Sequence, residues 1–184
     1  MKRRRPTEAE LNAALKKRVP DLIAPDLRIL FCGINPGRYS AAAGRHFAGP
    51  GNRMWPSLFA AGFTPRLFTP FDSEELLALG YGITNIVART TASADELSKH
   101  EIVAGLGALE KKARKYRPRI IAILGFGAYR TAFGQRHAVE GLQPERLGPS
   151  AVWLLPNPSG LNAHHQGEPM IRMFRELRLY AERL

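Results

Sequence analysis

Two short polar segments carry the residue types that could do chemistry in this chain. "GINPG" (Gly33–Gly37) breaks out of an apolar run, Leu27–Cys32, and sets one amide side chain, Asn35, between two glycines and a proline. "NPSGLN" (Asn157–Asn162) follows a second apolar run, Ala151–Pro156. Asn, Pro, Gly and Ser are also the ordinary turn residues, so either segment alone reads as a turn. An amide takes no proton at neutral pH; it holds a water or a ligand edge by hydrogen bonds rather than acting as a base. Asn85, within "ITNIV" (Ile83–Val87), either reaches the same place or caps its strand. The acidic candidates are Asp95 and Glu96 in "RTTASADELSK", whose plain reading is the first turn of a helix, where the dipole favours negative charge. Cys32, the single cysteine, follows Phe31 inside an apolar run and reads as a small buried thiol, not a nucleophile. His164 and His165 have no cysteine or further ligand type beside them and read as surface residues, not a metal site.

The elements that must position these residues follow from pattern. Thr7 and Glu10 form a capping box for a helix through about Arg18, ended by Pro20. Leu27–Cys32 reads as the first strand and Ile83–Val87 as the second, with "RIIAIL" (Arg119–Leu124) and "AVWLLP" (Ala151–Pro156) as two more. Between them the spacing predicts helices over Asn52–Ala61, with Met54, Trp55, Leu58 and Phe59 inward, and over Ser73–Leu79. A long helix spans Ser98–Tyr116, with Ile102, Val103, Leu106, Leu109 and Ala113 on one face, and a short one Ala128–Phe133. The last helix starts near Pro169 and buries Ile171, Phe174, Leu177 and Ala181. Four short apolar strands alternating with helices describe an α/β fold with a mainly parallel sheet covered on both faces. Ligands in such sheets bind beyond the carboxyl ends of the strands, which places "GINPG" and "NPSGLN" at one rim. Two stiff polar loops converging on one edge point to a site rather than to two unrelated turns.

Bulk properties narrow the partner. The 184 residues are most simply one domain with a proper core. No apolar run approaches the roughly 20 residues that span a bilayer, and "MKRRRP" leads into a polar helix rather than a signal sequence. With one cysteine, a reducing cytoplasm is the expected location. Lys and Arg number 27 against 16 Asp and Glu, a formal net charge of +11. Basic residues recur along the whole chain, which favours a polyanion, and nucleic acid is the commonest one.

"GINPG" after the first strand, "HFAGPGNRMW" shortly after it and "LPNPSGLN" after the last strand, in that order, resemble the mismatch-specific uracil-DNA glycosylases. These are the bacterial relatives of thymine-DNA glycosylase within the uracil-DNA glycosylase superfamily. The resemblance runs from about Leu27 to the final helix and implies a three-layer α/β/α domain; with the four strands read above, residues 1–184 are expected to form one such domain, residues 1–26 being a basic helix and lead-in. It implies a monomer that needs no metal and no organic cofactor, and that hydrolyses uracil, or a related damaged pyrimidine, from double-stranded DNA. Asn35 matches the asparagine whose amide oxygen holds the attacking water. Ile34, Gly37 and Ser40 would read the pyrimidine edge, Phe47 would stack on the base, and Asn85 borders the pocket or caps its strand. Asn157, Pro158, Ser159, Gly160, Leu161 and Asn162 match the intercalation loop, Leu161 entering the gap left by the flipped nucleotide. Some relatives carry an arginine two positions after that leucine; this chain has Ala163. Asp95 is a second catalytic candidate, as a carboxylate able to activate the water or stabilise the sugar cation. No lysine lies in either motif, so no strand cleavage through a Schiff base is expected. The competing expectation is a catalytically silent basic α/β module that binds nucleic acid or nucleotides.

Overall fold

The computed structural model describes residues 5–160 and 167–184. Its sheet has five strands: β1 (Ile29–Gly33), β2 (Tyr81–Asn85), β3 (Ile120–Leu124), β4 (Gly141–Leu147) and β5 (Ser150–Leu155). The spatial order is β2-β1-β3-β5-β4, with every pairing parallel except β4 against β5. The three central strands are buried along their whole length and almost wholly apolar because both faces of the sheet are covered. Alternate residues sort to opposite sides. Ile29, Phe31, Ala122, Trp153 and Leu155 face helices α3 (Met54–Ala60) and α7 (Glu168–Ala181). Leu30, Cys32, Ile121, Ile123, Val152 and Leu154 face α5 (Lys99–Tyr116) and α6 (Phe126–Phe133). The result is a three-layer α/β/α sandwich.

The expected count of about four strands is corrected to five. The additional strand, β4, carries Gln143, Pro144, Glu145 and Arg146 and does not look like a buried strand. It survives because it is an edge, where a missing N–H and charged side chains are tolerated. Its register against β5 shifts between Leu142 and Arg146, around Pro144. The second strand begins at Tyr81 rather than Ile83, and Ile86 and Val87 leave it while still donating to the carbonyls of Gly33 and Ile34, both at 2.9 Å. The first helix stops at Ala13 and tightens into a 3-10 turn, Ala14–Lys16. Phe59 and Val103 are exposed rather than inward, since only the stripe facing the sheet is covered; Met170 and Met173 carry the core contact expected of Ile171, which is half-buried. Burial pushes the Cys32 thiol well above its usual range, consistent with an inert packing residue.

One close approach fixes the end of β2. Helix α5 crosses Ile86 at Gly105, where a Cβ would stand 2.5 Å from the Ile86 carbonyl oxygen and 2.8 Å from its Cγ2. Gly107, one turn-fraction on, faces open space. Alanine at a helical glycine ordinarily stabilises by up to about 1 kcal/mol. That is the outcome expected for Gly107→Ala in denaturant titration. Gly105→Ala should instead destabilise by roughly 1–3 kcal/mol through overpacking; equal stabilisation by both would contradict the close packing of α5 on Ile86.

Candidate active site

Strands β1, β2, β3 and β5 run parallel, so their carboxyl ends lie along one edge. From β1 the chain passes to β2 on one side and then to β3 on the other. The crevice between β1 and β3 is thus the topological switch point where such sheets bind ligands. An open cleft of about 1230 Å³ occupies this edge. It brings together Ile34, Asn35, Gly37, Ser40, Phe47, Asn85 and Asp95 with Asn157, Ser159 and Gly160. Leu161, Asn162, Ala163, His164 and His165 lie outside the described residues. Among the described residues no three His, Cys, Asp or Glu side chains gather as a metal ion would require.

Asn35 is held on its nitrogen side. Its Nδ2 donates to Thr91 Oγ1 at 2.7 Å and to the carbonyl oxygens of Arg89 at 2.9 Å and Pro36 at 3.3 Å. Carbonyls only accept, so these partners fix which end of the amide is nitrogen. That leaves Oδ1 as the acceptor end of an amide that lines the cleft. The loop supplying those partners is itself braced. Thr91 N–H donates to the Pro36 carbonyl at 3.2 Å, and Arg89 pairs with Glu101 at 2.8 Å. Hydrogen bonds from the Arg89 guanidinium and the Ser98 backbone hold the half-buried Glu101 carboxyl down to about 2, so the brace stays ionised across ordinary working pH. Thr91 is not singled out by sequence, where "RTTASADELSK" draws attention through its acids. The available signal was topological: the parallel neighbour of β1 must deliver its following loop to the same rim.

The base of the pocket is Gly33, and it is bare for a reason. A Cβ there would stand 2.6 Å from Asn85 Oδ1 and 3.3 Å from Phe47 Cζ. Phe47 adopts φ 52°, a left-handed conformation that is uncommon for a non-glycine residue. Two contacts hold that turn: Trp55 Nε1 donates to the Phe47 carbonyl at 3.3 Å, and the Ala48 N–H donates to Ser40 Oγ at 3.2 Å. Ser40 is therefore buried and braces the Phe47 turn from within α2 (Arg38–Ala43). Ile34 turns its side chain toward Gly125, where a Cβ would be 3.2 Å from Ile34 Cδ1. Gly37 opens α2, and a Cβ there would meet nothing within 4 Å. Asn85 ends β2, buried, with Nδ2 3.3 Å from Nδ1 of His46, a second residue the sequence reading passed over.

Asp95 is exposed on the rim within the 3-10 turn Ala94–Glu96, its Oδ2 3.4 Å from Ser93 Oγ. Across the cleft, Asn157 Oδ1 accepts the Ser159 N–H at 3.0 Å, the local turn its sequence suggests. That turn is backed by the "GPGN" segment. Arg53 N–H donates to the Pro158 carbonyl at 2.7 Å, and a Cβ on Gly160 would stand 2.8 Å from the Gly51 oxygen. The second motif thus buttresses the third. This arrangement is accompanied by a family match: the model of the uracil DNA glycosylase superfamily covers residues 20–178. The chain belongs to the uracil DNA glycosylase superfamily. Membership brings, in general terms, hydrolysis of N-glycosyl bonds, uracil as the base and DNA as the partner.

For a glycosylase of this superfamily the bare Gly33 surface is a direct target. Gly33→Ala should displace Asn85 and Phe47 and lower single-turnover uracil release by about 100-fold, the scale of a misplacement near 1 Å, with the circular dichroism spectrum retained. A folded variant working at full rate would remove Gly33 from the pocket.

Proposed function

We propose that this glycosylase is of the mismatch-specific, thymine-DNA glycosylase-like type: a monofunctional enzyme that removes uracil, flipped out of duplex DNA, by hydrolysis. The observation that carries this reading is the fixed amide of Asn35, which offers an oxygen acceptor, and no base, to a water at the sugar carbon. The three ordered motifs support the subfamily.

A weakly activated water suffices when the bond breaks first. The sugar then becomes cationic and the leaving uracil anionic, and a dry, preorganised site stabilises both charges. In this scheme Asn35 Oδ1 orients the water. Phe47 stacks on the extruded base, and Asn85 with the backbone around Ile34 and Gly37 reads its edge. The loop from Asn157 to Asn162 enters the duplex with Leu161 as its wedge, offsetting an unstacking cost of a few kcal/mol. Arg38, Arg53 and Lys99 line the cleft with positive charge suited to the phosphate backbone.

The test is a single-turnover assay on duplexes carrying one uracil opposite G or A, and on single strands, with alkali used to reveal abasic sites. Release fastest opposite G is the expected pattern; binding without product on any substrate would favour a silent nucleic-acid-binding module. Asn35→Ala should slow release on the order of 100–1000-fold while DNA affinity is kept. Thr91→Val keeps the shape but removes one of three acceptors around Nδ2, and a smaller loss, about 10-fold, is expected. Asp95→Ala addresses the remaining carboxylate: an unchanged rate removes Asp95 from catalysis and leaves the water to Asn35, held in place by Thr91.

A further inference from the structure

His46 is buried between two partners of different kinds. Its Nε2 lies 2.9 Å from the Pro20 carbonyl oxygen, and its Nδ1 lies 3.3 Å from Asn85 Nδ2. A carbonyl can only accept, so the proton on the ring must sit on Nε2 for that contact to be a hydrogen bond. A neutral imidazole carrying its proton on Nε2 has an acceptor at Nδ1. That acceptor requires a donor from Asn85, and an amide whose nitrogen faces the histidine turns its oxygen the opposite way. The geometry agrees: Asn85 Oδ1 lies over the bare face of Gly33, beside the edge of Phe47. The orientation of Asn85 is therefore dictated from outside the pocket, through a relay that begins at a backbone carbonyl.

We propose that His46 is a specificity-positioning residue: by presenting an acceptor to Asn85 Nδ2, it fixes the amide oxygen toward the pocket, so that the site accepts a base edge carrying N3–H and disfavours one whose N3 is a bare acceptor. Uracil-type bases have the first edge and cytosine-type bases the second. This rests on Asn85 as a contact to the base. Were His46 doubly protonated, Nδ1 would become a donor, Asn85 would have to rotate its oxygen toward the ring, and its NH2 would face the pocket, favouring the cytosine-type edge.

The surroundings keep the ring in the neutral form. Burial lowers the His46 pKa below its ordinary value, outweighing the Pro20 contact and Asp21, which raise it, while Lys112 adds to the lowering. Asp21 and Lys112, the charged groups acting on the ring, are paired with each other at 2.6 Å and both bind Thr84, the residue before Asn85. Their opposed effects leave desolvation as the deciding influence. The Phe47 ring, 6.3 Å from the imidazole, adds no charge.

Two measurements on the full chain test the relay. Nitrogen-15 NMR of the histidine rings at pH 7.5 should show His46 neutral with its proton on Nε2; an Nδ1–H tautomer or an imidazolium would overturn the proposal. Single-turnover excision is then compared on duplexes holding 5-fluorouracil or 5-fluorocytosine opposite G, two bases that differ at the N3 edge and not at C5. His46→Phe should lower 5-fluorouracil release about 10-fold, the scale of one misdirected buried polar contact, without a matching fall for 5-fluorocytosine. His46→Asn, which returns an acceptor near the Nδ1 position, should restore much of the preference. Equal losses on both bases would mean that His46 only packs, and would overturn the inference. Absence of uracil release by the unmodified protein overturns the functional reading it rests on; a wrong tautomer in an active protein overturns this proposal alone.

Discussion

The contact on which the rest of the site depends is the tie between the amide nitrogen of Asn35 and the loop that follows β2. Three acceptors surround Nδ2, two of them backbone carbonyls. One side chain thereby joins two loops that are 54 residues apart in sequence at Arg89. The tie is possible because β1 and β2 are parallel neighbours, and because their ladder continues past the strand ends through Ile86 and Val87. Each loop then leaves the sheet already aimed at the other. An amide pinned this way needs little rearrangement when a water arrives, and preorganisation of that kind is the larger part of what a polar site contributes.

The pocket shows how far close packing has been traded against conformational ease. Phe47 sits at a positive φ that costs a non-glycine residue on the order of 1 kcal/mol, and the indole N–H of Trp55 and the hydroxyl of Ser40 hold it there. Gly33, in contrast, has an ordinary backbone; it is glycine because Asn85 and Phe47 occupy the space of its side chain. Gly160 answers to the same logic against Gly51. Glycines of this class mark where two pieces of the site touch, and they explain why the "GPGN" segment belongs to the turn after β5 as much as to helix α3.

Much of this was legible in the residues. The central strands announced themselves as apolar runs, and the rule that sites lie beyond the carboxyl ends of parallel strands was enough to bring "GINPG" and "NPSGLN" to one rim. What escaped had physical reasons. Strand β4 is polar because an edge strand has one partner and one wet side, so periodicity could not reveal it. Thr91 and His46 were hidden because their roles are set by partners distant in sequence: a threonine hydroxyl and a buried imidazole carry no local pattern. Ser40 lines the cleft as its motif implies, and its oxygen also accepts from Ala48 in the turn that carries Phe47, a partner eight residues away that the motif does not reveal. In each case the residue type was visible and the partner was not.

Asn35 and Asn85 are the same side chain at the ends of adjacent strands, and their surroundings give them opposite duties. Asn35 is fixed by backbone carbonyls and a hydroxyl, none of which titrates near neutral pH, so its orientation does not vary with conditions. Asn85 is fixed by an imidazole, whose acceptor exists only while the ring is neutral. A glycosylase site of the proposed kind, which would hold a water for every substrate and discriminate between base edges, has reason to differ in this way. On the proposed function, the permanent anchor would serve the chemistry common to every substrate, and the titratable one the choice among them. Burial of His46 favours the neutral ring, and with it the present orientation of Asn85, since the ring would have to bind a proton in a desolvated position before Asn85 turned.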